Sequence, residues 1–289
     1  MQRPQPSQNV SPKNAANALP LSSAQAANAS LSTASVGAPE NAASAAARTS
    51  RAPFAPGETF DFSRYLVIGP ENLPAGAGSL SVEDVVCASV EEGFSCVQIR
   101  SKVLSARDMI ALVQRVDSAL QQRALRNKVC LLINDRLDCV LAARDAGVTV
   151  DGIHVGQSDI PPEVCHHYLG EHAVVGLSAP AADIVHYIAH AKTRAISYFG
   201  VAPYHVTPSK PDCDTTSTGE TIYISADDIQ RLAQVRSVPL IVGGGVQQAD
   251  LACLKRAGAS GFFVISAVCS AKNPRLAARA LCSTWNALV

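Results

Sequence analysis

From residue 61 to the C-terminus, short apolar runs alternate with amphipathic stretches. The runs are Tyr65–Ile68, Cys96–Ile99, Val129–Ile133, Gly152–Val155, Val174–Leu177, Ile196–Val201, Pro239–Val242 and Gly261–Ile265. Each is too short for a helix and lacks strict alternation, the pattern of parallel strands buried on both faces. The stretches between them read as helices. Ser105 with Asp108 makes a capping-box-like start, and Met109, Leu112, Val113, Val116 and Leu120 then share one face. Asn273 before Pro274 is a second start, followed by a stripe of Ala277, Leu281, Trp285 and Leu288. Eight strand–helix units in succession favour a closed (β/α)8 barrel, the TIM barrel, over an open doubly wound sheet. No Gly-x-Gly-x-x-Gly follows the first run, where a dinucleotide-binding fold would carry it.

The repeat does not reach the N-terminus. Residues 1–50 hold 14 Ala and 9 Ser, with Glu40 as the one acid and no aromatic residue. Such a stretch cannot bury enough apolar surface to offset its ordering entropy, so residues 1–60 are expected to be a disordered tail before a barrel domain at 61–289. An organelle transit peptide in the tail stays open, although basic residues are sparse; a secretory signal is not expected. No apolar run is long enough to span a bilayer. The 24 basic and 24 acidic side chains cancel, which argues against nucleic acid or a membrane surface as partner. The nine cysteines are odd in number and never spaced Cys-x-x-Cys. They read as free thiols in a reducing compartment, with the cytoplasm as the expected location and a homo-oligomer left open.

In a barrel, the chemistry belongs to the loops after the strands, and polar residues collect there. The second run ends in Gln98-Ile99-Arg100-Ser101-Lys102. Alternation aims Gln98, Arg100 and Lys102 into the barrel mouth, with Ile99 outward. Two cations and an amide suit a polyphosphate, and a solvated strand end is the plainer alternative. Asp135 and Asp159 follow neighbouring runs, close enough to share Mg²⁺ with substrate phosphates; each could equally be the N-cap of the next helix. His154 reads as a packed or supporting histidine rather than a ligand. After the sixth run, Thr207, Pro208, Ser209 and Lys210 lie in a long polar segment, an anion-binding group able to close over substrate. The seventh run leads into Gly243-Gly244-Gly245, and the eighth ends in Ile265-Ser266, where barrels often bind phosphate. The mouth thus divides into a diphosphate half with Mg²⁺ and a monophosphate half. No grouping suited to covalent catalysis is evident.

Taken in order, these segments resemble the thiamine-phosphate synthase family over about residues 64–288. The resemblance is carried by QIRSK at Gln98–Lys102, IND at Ile133–Asp135, GIHVGQSD at Gly152–Asp159, GLS at Gly176–Ser178, the Thr207–Lys210 loop, Gly244-Gly245 and Ile265-Ser266. It implies a (β/α)8 barrel that joins 4-amino-2-methyl-5-hydroxymethylpyrimidine diphosphate to a thiazole phosphate, using Mg²⁺ and releasing pyrophosphate. It further implies that Gln98, Ile99, Arg100, Ser101 and Lys102 hold the pyrimidine diphosphate together with Asn134, Ser178 and Lys210. Asp135 and Asp159 match the Mg²⁺ ligands. Thr207, Pro208 and Ser209 match the thiazole-phosphate site, and Gly245, Ile265 and Ser266 its phosphate. Arg100, Lys102 and Lys210 would stabilise the departing pyrophosphate.

The chain departs from the family pattern at several positions. Ser209 stands for Thr, Ala202 for Gly, Val206 for Pro, and Pro180 for a His or Asn; Val242-Gly243 inverts a Gly-aliphatic order. Two other readings therefore compete with a synthase: a thiazole tautomerase-like relative, and a non-catalytic barrel that binds a phosphate ligand.

Overall fold

The computed structural model describes residues 60–76, 80–207, 215–216 and 218–288. The segment read as a tail lies outside them except for Phe60, as do Pro208, Ser209, Lys210 and Cys213. Eight strands form a closed parallel barrel in sequence order. They are β1 (Arg64–Ile68), β2 (Cys96–Ile99), β3 (Cys130–Asn134), β4 (Gly152–Val155), β5 (Val174–Ser178), β6 (Tyr198–Val201), β7 (Leu240–Val242) and β8 (Gly261–Val264). Closure comes from β8 pairing with β1, Leu66 opposite Val264. Around them run α1 (Val82–Glu91), α2 (Ala106–Gln122), α3 (Leu137–Asp145), α4 (Pro162–Leu169), α5 (Ile184–His190), α6 (Ala226–Val235), α7 (Leu251–Arg256), α8 (Ser266–Cys269) and α9 (Pro274–Ala287).

The near-continuous apolar strands have a simple cause: both faces are covered. Leu66, Ile68, Val97, Ile99, Leu131 and Ile133 point outward into the layer shared with the helices. Tyr65, Val67, Cys96, Cys130, Leu132, Val174, Tyr198 and Ile241 point into the barrel. Helix starts follow side-chain chemistry. Ser105 Oγ accepts from the Asp108 amide at 3.2 Å, and the predicted face of α2 is buried. Asn273 Oδ1 accepts from the Leu276 amide, as expected for α9. The α9 stripe is corrected by one position: Ala278 and Cys282 are buried with Leu281 and Trp285, whereas Ala277 sits at the margin. The carboxylates of Asp135 and Asp159 cap neither α3 nor α4, which removes the N-cap alternative for both. The eight cysteines among the described residues are free thiols, and all but Cys253 are buried.

At the N-terminal ends of the strands, Arg126 occupies a single 3-10 turn before β3. It donates to Asp117, Asp151 and the carbonyls of Val129 and Thr149, at 2.7–3.0 Å. Asp151 also accepts from the Leu131 amide at 2.7 Å. This buried cluster ties the α2–β3 connection to the start of β4.

Candidate active site

The C-terminal strand ends converge on one cleft of about 950 Å³, counted to its open mouth. Ten of the expected residues line it: Gln98, Arg100, Lys102, Asn134, Asp135, Ser178, Thr207, Gly245, Ile265 and Ser266.

Strand pleating places the β2 residues as expected. Gln98 is buried inside the barrel, Arg100 is half-buried at the rim, and Lys102 reaches out beside it. Ile99 is fully buried on the opposite face, against the helices. Ser101 does not line the cleft; its hydroxyl accepts from the amides of Val103 and Leu104, both at 3.2 Å, and shapes the approach to α2.

The chain turns sharply after β3. Asp135 adopts a left-handed conformation with φ of 59°, which Asp tolerates better than most residues, and its amide donates to the His154 carbonyl at 2.8 Å. That turn brings its carboxylate to Lys102 Nζ, 2.7 Å away. Asp159 is fixed from the next loop by the Gly156 amide, which donates to Oδ2 at 2.8 Å. Burial holds the Asp159 carboxyl above the ordinary carboxylate range, and the neighbouring Asp135 pushes the same way. Two hard oxygen donors in partly desolvated confinement are chemistry that fits Mg²⁺. Among the described residues no third His, Cys, Asp or Glu joins them. Phosphate and water oxygens would complete such a shell, as is usual for this ion.

The opposite wall is mostly backbone. Gly244 and Gly245 have φ of 78° and 75°. A Cβ on Gly244 would lie 2.7 Å from Pro203 Cα, and one on Gly245 would lie 2.8 Å from His205 Cβ. Conformation and space therefore both require glycine here. The inverted Val242-Gly243 order also has a reason: a Cβ on Gly243 would lie 2.3 Å from the Phe263 ring. Phe263 from β8 fills that side of the cleft.

The floor is where reading by pattern fell short. Tyr65 and Tyr198 lie in runs read as strand core, yet both line the cleft and share a hydroxyl–hydroxyl contact of 2.7 Å. The available signal was chemical: a phenol in a doubly buried strand needs a hydrogen-bond partner. His154 is held between Tyr198 and Ser178 at 2.9 Å to each, the supporting position expected for it.

A family model described as thiamine monophosphate synthase matches residues 65–268. The chain is 35% identical over 205 residues to the thiamine-phosphate synthase of Roseiflexus sp. (strain RS-1), covering 71% of this chain and 79% of that protein. It is 32% identical to the thiamine-phosphate synthase of Vibrio parahaemolyticus serotype O3:K6, covering 70% and 90%. The fold is similar to that of thiamine phosphate pyrophosphorylase from Pyrococcus furiosus, with a TM-score of 0.61 at 18% identity, covering 78% of this chain and 96% of that one. With the family model spanning the strands that build this cleft, and two relatives more than 30% identical over about 70% of the chain, the chain belongs to the thiamine monophosphate synthase family.

Proposed function

We propose that the protein joins 4-amino-2-methyl-5-hydroxymethylpyrimidine diphosphate to a thiazole phosphate, forming thiamine phosphate and releasing pyrophosphate. The observation that carries this reading is the division of one cleft. Arg100, Lys102 and Asp135 line one side, with Asp159 paired to Asp135 outside the lining, and the glycine wall with Ser266 stands on the other.

The bond between the pyrimidine methylene carbon and the diphosphate oxygen breaks first, and its electron pair leaves with pyrophosphate. The thiazole nitrogen then donates its lone pair to the carbon, forming the new C–N bond. The first step adds one negative charge to the leaving group, which departs with roughly three, and fixed cations lower that barrier most. Arg100 offers a planar fork and Lys102 a mobile point charge. Lys210, outside the described residues, is proposed as a third cation, with Thr207, Pro208 and Ser209 beside the thiazole phosphate. Asp135 and Asp159 would hold Mg²⁺, which neutralises diphosphate charge when bound. The cleft floor of Tyr65, Val67 and Tyr198, each at most 5% exposed, shields the pyrimidine cation from water before the thiazole traps it. Asn134 and Ser178 supply polar contacts to the diphosphate side, and Ser266 and Gly245 to the thiazole phosphate.

The test uses purified full-length protein with both substrates and Mg²⁺. Pyrophosphate and thiamine phosphate should form in equal amounts. Binding of the phosphate ligands with no pyrophosphate release would overturn the reading in favour of a non-coupling relative.

A further inference from the structure

We propose that Gln98, Tyr65, Tyr198, His154 and Ser178 form one polarised hydrogen-bond chain across the cleft floor. It aims the Ser178 hydroxyl proton and the Gln98 amide oxygen at the bound pyrimidine diphosphate, with Tyr65, Tyr198 and His154 as positioning residues. This deepens the coupling reaction proposed above and rests on it.

Five strands contribute one side chain each. Gln98 Nε2 donates to Tyr65 Oη at 2.7 Å, and Tyr65 Oη lies 2.7 Å from Tyr198 Oη. Tyr198 Oη lies 2.9 Å from His154 Nδ1, and His154 Nε2 lies 2.9 Å from Ser178 Oγ. Each hydroxyl has a single proton, and that count sets the direction. Tyr65 Oη accepts from Gln98, so its own proton goes to Tyr198. Tyr198 in turn gives its proton to Nδ1. A neutral imidazole that accepts at Nδ1 carries its proton on Nε2, and this proton goes to Ser178. The Ser178 proton is then directed into the cleft, where it can meet a phosphate oxygen. At the other end, Gln98 uses Nε2 internally and keeps Oε1 as an acceptor. With the Gln98 amide nitrogen facing Tyr65, the reverse order would leave the Tyr65 proton unpaired where the residue is 2% exposed, the costlier arrangement. Burial pushes both phenols well above the usual tyrosine range, so both keep the proton that this order requires.

The strands also make room for this chain. A Cβ at Gly176 would lie 2.2 Å from Tyr198 Cζ and 2.6 Å from His154 Nδ1. One at Gly200 would lie 3.0 Å from His154 Cε1. Two neighbouring strands thus carry no side chain where the phenol and imidazole rings stand.

Nitrogen-15 NMR of the full-length protein labelled at histidine tests the direction without any substrate. The His154 signals are identified by their loss in His154→Gln. They should show Nε2 protonated and Nδ1 bare; a proton on Nδ1 would overturn the proposal. Tyr198→Phe keeps the ring and removes one oxygen, so it should release His154 into a mixture of tautomers. An unchanged tautomer in that variant would count equally against the chain. In turnover, Tyr198→Phe should lower kcat about tenfold, leave KM for the thiazole phosphate unchanged, and add nothing further in a Ser178→Ala background. Multiplying effects in the double variant would mean that the two residues act separately. Absence of turnover in the unaltered protein would overturn the coupling reaction, while the tautomer measurement would still decide the chain.

Discussion

The two ends of this barrel handle charge in opposite ways. At the N-terminal end, Arg126, Asp117 and Asp151 have side chains only 5–6% exposed, and the guanidinium meets two carboxylates and two carbonyls. At the mouth, Lys102 is 54% exposed, its ammonium has one short partner among the described residues, Asp135, and two carboxylates crowd each other. Full burial with every guanidinium nitrogen paired describes a joint that holds strands together. Partial burial with like charges left close describes a site that awaits a ligand. The difference agrees with how barrels divide stability from chemistry between their two faces.

The sharpest way to break this comparison is at Arg126. Arg126→Met removes the cation that Asp117 and Asp151 share in the interior, and burial already pushes the Asp117 carboxyl upward against the pull of Arg126. The expected loss is about 3–5 kcal/mol, seen as a fall in melting temperature of roughly 6–20 °C. The protein that remains folded should turn over normally. A melting temperature within a degree or two of the original would show that the cluster is not a structural joint.

Asp135→Asn should do the converse. Asn also accepts the left-handed backbone, so the substitution removes charge without straining the turn. Turnover should drop by roughly 10²–10³, equivalent to about 2.7–4 kcal/mol, with little change in melting temperature. Pyrophosphate release measured across a Mg²⁺ titration checks it, and wild-type kinetics at every concentration would remove Asp135 from the metal role.

Much of this contrast can be read in the sequence, for reasons that differ by residue. The strands stand out because parallel strands must be apolar on both faces, and β2 and β4 begin and end where their apolar runs do. Gln98, Arg100 and Asp135 stand out because polar groups at the ends of such runs have few structural uses. Arg126 does not, since its partners lie 9 and 25 residues away and nothing local marks the pairing. Tyr65 and Tyr198 are hidden for a related reason: their rings satisfy the apolar pattern, and their hydroxyls meet only when the barrel closes. Phe263 over Gly243 is likewise a pairing between strands, so the inverted Val242-Gly243 order looks anomalous until β8 is placed.

A smaller effect tests the crowded carboxylates. The Asp159 pKa is raised, so the folded protein binds this proton more tightly than the unfolded chain does. Stability from this group is therefore greatest at acid pH and is lost as pH rises through the raised value. Asp159→Asn abolishes that loss. The variant should be slightly more stable than the original at pH 7 without Mg²⁺, by less than about 1 kcal/mol because the site is partly open to solvent. The gain should close below about pH 4, where the carboxyl is protonated in both states. Turnover should nonetheless fall, because the charge that strains the mouth is the one proposed to hold the metal. Denaturation midpoints at the two pH values decide it, and a variant less stable at pH 7 would show that Asp159 is a structural group like those around Arg126.

The smallest change expected comes from the N-terminal segment, and the position of the cut matters. Phe62 belongs to the inner cluster, with its ring centroid 4.7 Å from that of Tyr198, and Phe60 packs beside it. A deletion of residues 1–58 keeps both rings and the whole closed sheet. Residues 1–50 carry almost no large apolar side chains, so they have little to bury against either end. Melting temperature and turnover should stay within measurement error of the full-length protein. A drop of several degrees with turnover intact would add the segment to the structural end of the comparison. Lost turnover at an unchanged melting temperature would instead tie it to the mouth.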